Sequence, residues 1–297
     1  MENLKNCTLC PRNCKIDRTL STGFCGAGEN VKIARAALHH WEEPCISGKT
    51  GSGTVFFSSC NLKCVYCQNF EISQQHFGKE ITINRLAEIF LELESQGAHN
   101  INLVTPTPYV PQICEAIDLV RKKIKIPFVY NSSGYESVMT LRLLKDYIDI
   151  YLVDIKYKSP HLSKKYSAAK DYFEIAISAL CEMLRQTGAP VFSGSGIMTR
   201  GTIVRHLVLP SCRQDSLDIL SYLAENFGTD QFLLSIMSQY TPNENLSSFP
   251  EINRILTTFE YESVTSFALD LGFTSALVQS RQSANKKYTP PFDLSGV

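Results

Sequence analysis

Six short apolar runs alternate with amphipathic stretches from residue 54 to residue 271, and this alternation restricts the fold more than any other feature. The runs are TVFFSS (54–59), INLV (101–104), PFVY (127–130), IDIYLVDI (148–155), TIVRHLVL (202–209) and QFLLSIM (231–237). Each is short and mostly apolar, the pattern of a strand covered on both faces. After the first run, Ile83, Leu86, Ala87, Phe90 and Leu93 fall on one helical face, with Thr82 as N-cap and Gly97 as stop. Further helices are expected from Pro111 onward, near 136–147, over 171–187 before Gly188, near 214–227 and, broken in two, over 251–271. Strands separated by helices form a parallel sheet with right-handed crossovers. Six units are too few for a closed eight-unit barrel. The expected fold is therefore α/β, an open partial (β/α)6 barrel with parallel strands and its reactive groups at their C-terminal ends.

The preceding residues, 1–53, read as a loop-like, Cys-rich segment that binds metal, residues 54–272 as the barrel and 273–297 as a tail. Hydrophobic residues make up 44% of the chain, enough for a sizeable core. Lys plus Arg and Asp plus Glu both number 29, so no net field draws the chain to nucleic acid or to acidic lipid. There is no charged-then-apolar leader and no apolar run long enough to span a bilayer, so a cytoplasmic protein without a membrane partner is expected. Eleven cysteines, most of them in two tight groups, then argue for metal rather than disulfides.

Cys60, Cys64 and Cys67 follow the first strand in SSCNLKCVYCQNF. Three thiolates fix three irons of a four-iron, four-sulfur (4Fe-4S) cluster, which normally takes four, so one iron is left for a non-protein ligand. A structural zinc site with one further ligand is the competing reading. The second group, Cys7, Cys10, Cys14 and Cys25, supplies four thiolates and completes a site by itself. Zinc and an auxiliary iron–sulfur cluster both suit it, with free thiols as the alternative. Cys45 stands alone, and Cys114, Cys181 and Cys212 read as ordinary packed thiols.

The C-x3-C-x-aromatic-C stretch after a first strand resembles the radical S-adenosylmethionine (SAM) superfamily. HHWEEPCISG (39–48), GSGTVFF (51–57), CNLKCVYCQN (60–69) and RHLVLP (205–210) are similar to its branch of pyruvate formate-lyase activating enzyme-like proteins. The resemblance implies that SAM occupies the open iron through its amine and carboxylate, and that the reduced cluster cleaves it to a 5′-deoxyadenosyl radical. It also implies a reductant protein such as flavodoxin or ferredoxin and, in the founding activating enzymes, a partner enzyme from whose glycine hydrogen is taken.

Site residues follow from the strand ends. Tyr66 is placed to pack on adenine, or is a surface aromatic. Thr105-Pro106-Thr107 stands where such proteins usually carry Gly-Gly-Glu, so Thr105 and Thr107 are candidate SAM contacts, with a Pro-rich turn as the alternative. Asn131 and Ser133 suit ribose or carboxylate, or simply form a polar turn. Asp154 and Lys156 are similar to the Asp-Leu-Lys of activating enzymes and are the catalytic candidates, against a plain ion pair capping the strand. Arg205 and His206 must point to opposite faces. By family position Arg205 takes the carboxylate, and His206 packs under a helix. The histidine that touches SAM in activating enzymes has no counterpart; Gln239 and Tyr240 stand there.

Three functions compete. An activating enzyme for a protein substrate calls for a broad opening over the cluster. An enzyme modifying a small molecule or nucleotide calls for an enclosed pocket built from 191–201 and 238–244. A non-catalytic iron–sulfur protein calls for no SAM cleavage.

Overall fold

The computed structural model describes residues 2–280 and 288–297. A short helix α1 (Glu2–Lys5) and a long loop lead to strand β1 (Val31–His39), helix α2 (Pro44–Ser47) and strand β2 (Ser52–Phe57). Helix α3 (Phe70–Ser73), strand β3 (Lys79–Ile81), helix α4 (Ile83–Ser95), strand β4 (Ile101–Val104) and helix α5 (Val110–Val120) follow. The middle of the chain forms β5 (Phe128–Ser132), α6 (Val138–Leu143), β6 (Ile150–Asp154), α7 (Pro160–Ser167) and α8 (Tyr172–Thr187). It closes with β7 (Val191–Phe192), β8 (Met198–Leu207), α9 (Arg213–Phe227), β9 (Leu233–Met237), α10 (Thr258–Asp270) and β10 (Leu277–Val278).

The sheet runs β10-β9-β8-β6-β5-β4-β2-β1-β3, and β7 pairs with β8 outside this path. All six expected strands are present as the parallel set β2, β4, β5, β6, β8 and β9, with β10 added in parallel at one edge. The edges do not meet, so the sheet is open. Alternation along the strands divides the core. Val55, Phe57, Leu103, Tyr130, Tyr151 and Val204 pack toward the helices in the main core. Val129, Ile150, Leu152 and Ile203 point to the opposite face, where Ile46 of α2 packs among them. Local chemistry sets the helix ends: Thr82 Oγ1 accepts the Arg85 N–H at 3.1 Å, and Thr257 and Glu260 form a reciprocal box at the start of α10.

Three expectations need correction. Residues 1–53 are not all loop. β1 forms nine residues of sheet, antiparallel to β2 and β3, because its alternating pattern buries one face while Arg35 and His39 sit partly outside. β1 thus belongs to the same sheet as the strands that begin at residue 52. The region 251–271 carries one helix, α10, after a run of turns, since the capping box fixes a single start at Thr257. The tail returns to the sheet: β10 pairs with β9, Leu294 donates its N–H to Ala34 O at 3.0 Å, and Ala36 donates to Ser295 O at 2.8 Å. Tail residues 281–287 lie outside the described residues. Among the described residues, no helix is long and apolar enough to cross a membrane.

Ile46 is fully buried and fills the inner face of the sheet. Ile46→Ala should lower unfolding stability by about 2–4 kcal/mol, read from urea denaturation at constant slope.

Candidate active site at the carboxyl ends of the parallel strands

The loop after β2 carries the three cysteines. It begins at Ser59, whose backbone lies in the left-handed region (φ 78°), and whose N–H reaches Ile72 O at 2.8 Å. Val65 N–H donates to Tyr166 O at 2.9 Å, tying the loop to α7. All three thiols are half-buried and free of disulfides. Donors are aimed at the sulfurs. Leu62 N–H points at Cys60 Sγ (3.4 Å), Ser167 Oγ at Cys64 Sγ (3.0 Å), and Ser73 Oγ stands 3.3 Å from Cys67 Sγ. Burial pushes the Cys60 and Cys67 thiols up, and Cys64 up to about 11, where Lys156 and the Ser167 hydroxyl pull against it. Deprotonating this set inside the protein therefore needs an added positive centre.

Cys64 and Cys67 open into one cavity together with Tyr66, Asn131, Asp154, Lys156 and Arg205, at the carboxyl ends of the strands. Asp154 is its electrostatic hinge. Lys156 Nζ lies 2.5 Å from Asp154 Oδ2, and Arg205 Nε lies 2.8 Å from Oδ1. Burial opposes ionisation of Asp154, but Arg205 and Lys156 outweigh it and hold the carboxyl below its ordinary range. Arg205 also donates to Asn131 Oδ1 at 2.6 Å and reaches Glu42 Oε2 at 3.3 Å. The ion pair and the cavity lining proposed for Asp154 and Lys156 thus coexist.

Tyr172 of α8 fixes this geometry. Its hydroxyl lies 2.8 Å from both Ser133 O and Asp154 O, and it accepts the Lys156 N–H at 3.0 Å. Gly134 (φ 80°) is required beside it, because a Cβ there would stand 2.4 Å from Asp154 O.

Of the other expected residues, Tyr66 is buried rather than a surface aromatic, and its hydroxyl meets that of Tyr157 at 2.5 Å. His206 packs under α9 as expected, its ring nitrogens bonded to Ile155 O and Ser216 Oγ. Cys60 belongs to the same loop but does not line the cavity. Thr105, Thr107 and Ser133 do not line it either. Thr107 Oγ1 donates to Glu136 at 2.6 Å instead, turning away because a buried carboxylate claims it. Thr105, a β-branched residue at φ 60°, is strained. Its N–H donates to Asn131 O at 3.0 Å.

Two acidic residues stand outside the site residues expected at the strand ends. Glu42 lines the cavity from the loop before α2, held by Asn102 (3.0 Å) and Asn131 (3.3 Å). Burial drives its carboxyl upward against the pull of Arg205. The polar-aromatic cluster His39-His40-Trp41-Glu42-Glu43 reads in the sequence as a lining of the substrate opening or as structural contacts, and His39, Trp41 and Glu42 do line the cavity. Glu136 lies behind the strand ends, and nothing in its sequence context marks it. Burial pushes it up to about 7, against hydrogen bonds from Ser132, Thr107 and Tyr130.

A family model described as the Radical SAM superfamily matches residues 54–203. The uncharacterized protein MJ0674 of Methanocaldococcus jannaschii is 31% identical over 276 residues, spanning 89% of this chain and 74% of that protein. Among solved structures, the FeFe-hydrogenase maturase HydG from Carboxydothermus hydrogenoformans superposes with a TM-score of 0.51 at 12% identity, over 80% of this chain and 56% of that one. Streptococcus suis SuiB bound to precursor peptide SuiA gives 0.50 at 12% identity, over 74% of this chain and 46% of that one. The chain spans about half the length of these solved structures.

Between the ordinary carboxylate range and about pH 7, folded Glu136 holds a proton that the unfolded chain has released. Its contribution to stability should therefore be greatest at low pH and fall as pH rises through that window. Urea unfolding at roughly pH 5 and pH 8 should give a smaller pH difference for Glu136→Gln than for the native chain.

Proposed function

Because the chain belongs to the radical SAM superfamily, we propose that it reductively cleaves SAM at a 4Fe-4S cluster held by Cys60, Cys64 and Cys67, and that the radical takes hydrogen from a polypeptide partner, as in an activating enzyme. The observation that carries the reading is one cavity shared by two of these thiols and by Asp154, Lys156 and Arg205. Cluster and SAM, when bound, supply a one-electron cleavage of a sulfonium and a hydrogen-abstracting radical. The thiols fit that group: they are unpaired, close in sequence, and met by N–H and O–H donors suited to thiolate sulfur.

The protein's own part is binding and orientation. Lys156 offers a cation for a carboxylate, and Arg205 offers a planar fork already fixed by Asp154 and Asn131. Asp154, kept ionised, accepts from a hydroxyl or an amine. Tyr66, buried beside Cys67, forms an apolar wall for a flat base. Glu42 supplies an acidic group close to the strand ends, which offsets the missing Gly-Gly-Glu.

A second cavity shares Cys67 and Gln68 with the first and is lined further by Phe70, Gln75 and Thr241–Asn245. That cavity leaves room beside Cys67 for a segment of a polypeptide partner. The pocket expected of a small-molecule enzyme lacks one of its two parts: Phe192, Ser195, Gly196 and Ile197 line a separate cavity with Cys45, Lys49 and His99. The activating-enzyme reading is favoured on this ground.

After anaerobic reconstitution and reduction, the chain should convert SAM to 5′-deoxyadenosine and methionine, detected by mass spectrometry. Cys64→Ala should abolish the product. Asp154→Asn should raise the dissociation constant for SAM about tenfold or more, a loss of about 1.4 kcal/mol. Absence of 5′-deoxyadenosine from a chain with an intact cluster would rule the reading out.

A further inference from the structure

The loop of the second cysteine group is tied to that of the first, Arg12 Nε donating to Asn61 O at 2.9 Å. Cys25 stands close enough to Cys7 and Cys14, and Cys10 to Cys14 and Cys25, for the thiols to interact electrostatically. Backbone N–H groups two residues on point at two of these sulfurs, from Arg12 to Cys10 and from Ala27 to Cys25, as Leu62 N–H does to Cys60. The turns that allow this include Asn13 (φ 46°) and Lys15 (φ 55°), and a Cβ at Gly23 would crowd Cys14 Sγ at 3.2 Å.

Two guanidinium groups stand in the cysteine loop, Arg18 acting on Cys25 and Arg12 stacking on Phe24 beside it. Arg18 is 3% exposed, and its nitrogens reach only the carbonyls of Gly28 and Pro108. Arg12 bonds the carbonyls of Asn61 (2.9 Å) and Ala168 (2.7 Å), lies over the Phe24 ring at 3.9 Å, and leaves a buried Nη2 with no partner. Among the described residues, neither arginine has a carboxylate within ion-pair distance. A buried cation without an anion is costly. Four thiolates around a metal centre carry net negative charge and would supply the missing anion. Among the described residues, no group of three or more His, Cys, Asp or Glu is gathered tightly enough to hold a metal ion. The same holds of Cys60, Cys64 and Cys67, and a four-iron cube held by four thiolates meets the charge that the arginines call for.

We propose that Cys7, Cys10, Cys14 and Cys25 hold a second 4Fe-4S cluster, charge-matched by Arg18 and Arg12, and that electrons enter the molecule there. Arg12 supplies the path: it is two residues from Cys10, and its Nε donates to Asn61 O, adjacent to Cys60. A low-potential donor of the flavodoxin or ferredoxin class loses one electron, and the N-terminal cluster gains it and passes it toward the centre at Cys60, Cys64 and Cys67. No bond or proton moves in this transfer. The entry role, though not the N-terminal cluster itself, rests on the reading of that triad given above.

The test uses the full chain, reconstituted anaerobically with iron and sulfide. With Cys60, Cys64 and Cys67 all replaced by Ala, it should retain about four irons and the paramagnetic resonance signal of a reduced cluster. Absence of iron from that variant, or a zinc ion in its place, overturns the cluster. The double variant Cys10→Ser/Cys14→Ser, with the triad intact, should still cleave SAM with dithionite and lose cleavage driven by reduced flavodoxin. Equal cleavage with both reductants overturns the entry role. If the native chain cleaves SAM with neither, the proposed function fails, while the iron count still decides on the second cluster.

Discussion

The pairing of Asp154 with Arg205 and Lys156 is the interaction on which the site depends. Two cations and a carboxylate placed inside a sheet are each expensive to desolvate. They are tolerated because each meets a partner at hydrogen-bonding distance, and because Asn131 and Glu42 take up the remaining donors of Arg205. The arrangement leaves the groups charged and aimed before any ligand arrives, which lowers the cost of ordering them on binding. Tyr172 then makes the arrangement a property of the fold. By joining the carbonyls of Ser133 and Asp154, it sets the spacing between the ends of β5 and β6 from a helix behind the sheet.

Much of this was legible in the sequence, for a definite reason. Apolar runs and helical periodicity report burial directly, so the six parallel strands and most helices could be read. The charged residues at strand ends break those runs, and Asp154, Lys156 and Arg205 were visible as exceptions. β1 was hidden because its outward positions include Arg35 and its neighbours are antiparallel, giving a mixed pattern instead of an apolar run. Thr107 was misread because its direction depends on Glu136, a residue twenty-nine positions away that no local pattern ties to it. Glu42 was noticed only within a polar-aromatic cluster. Its entry into the cavity depends on α2 folding back along the inner face of the sheet.

That fold-back fills part of the inner face of an open sheet. A parallel sheet of this width has one face covered by helices and the other curved around a space that seven parallel strands do not close. Ile46 fills the lower part of that space among Val129, Ile150, Leu152 and Ile203. Glu42 and its asparagine partners fill the level above. One short segment thus supplies both an apolar side chain to the inner core and an acidic one to the cavity.

The return of the chain's last residues to β1 has a consequence for the order of assembly. Ser295 and Leu294 pair with Ala36 and Ala34, and Thr289 and Pro290 stand at the cavity rim. Contacts this distant in sequence form late, since the loop they close spans nearly the whole polypeptide. Until these pairings form, the side of the cavity that Thr289 and Pro290 line stands open beside Cys64 and Cys67. Closing of that rim is a separate, late step of folding, and the cysteine loop behind it stays accessible until the step occurs.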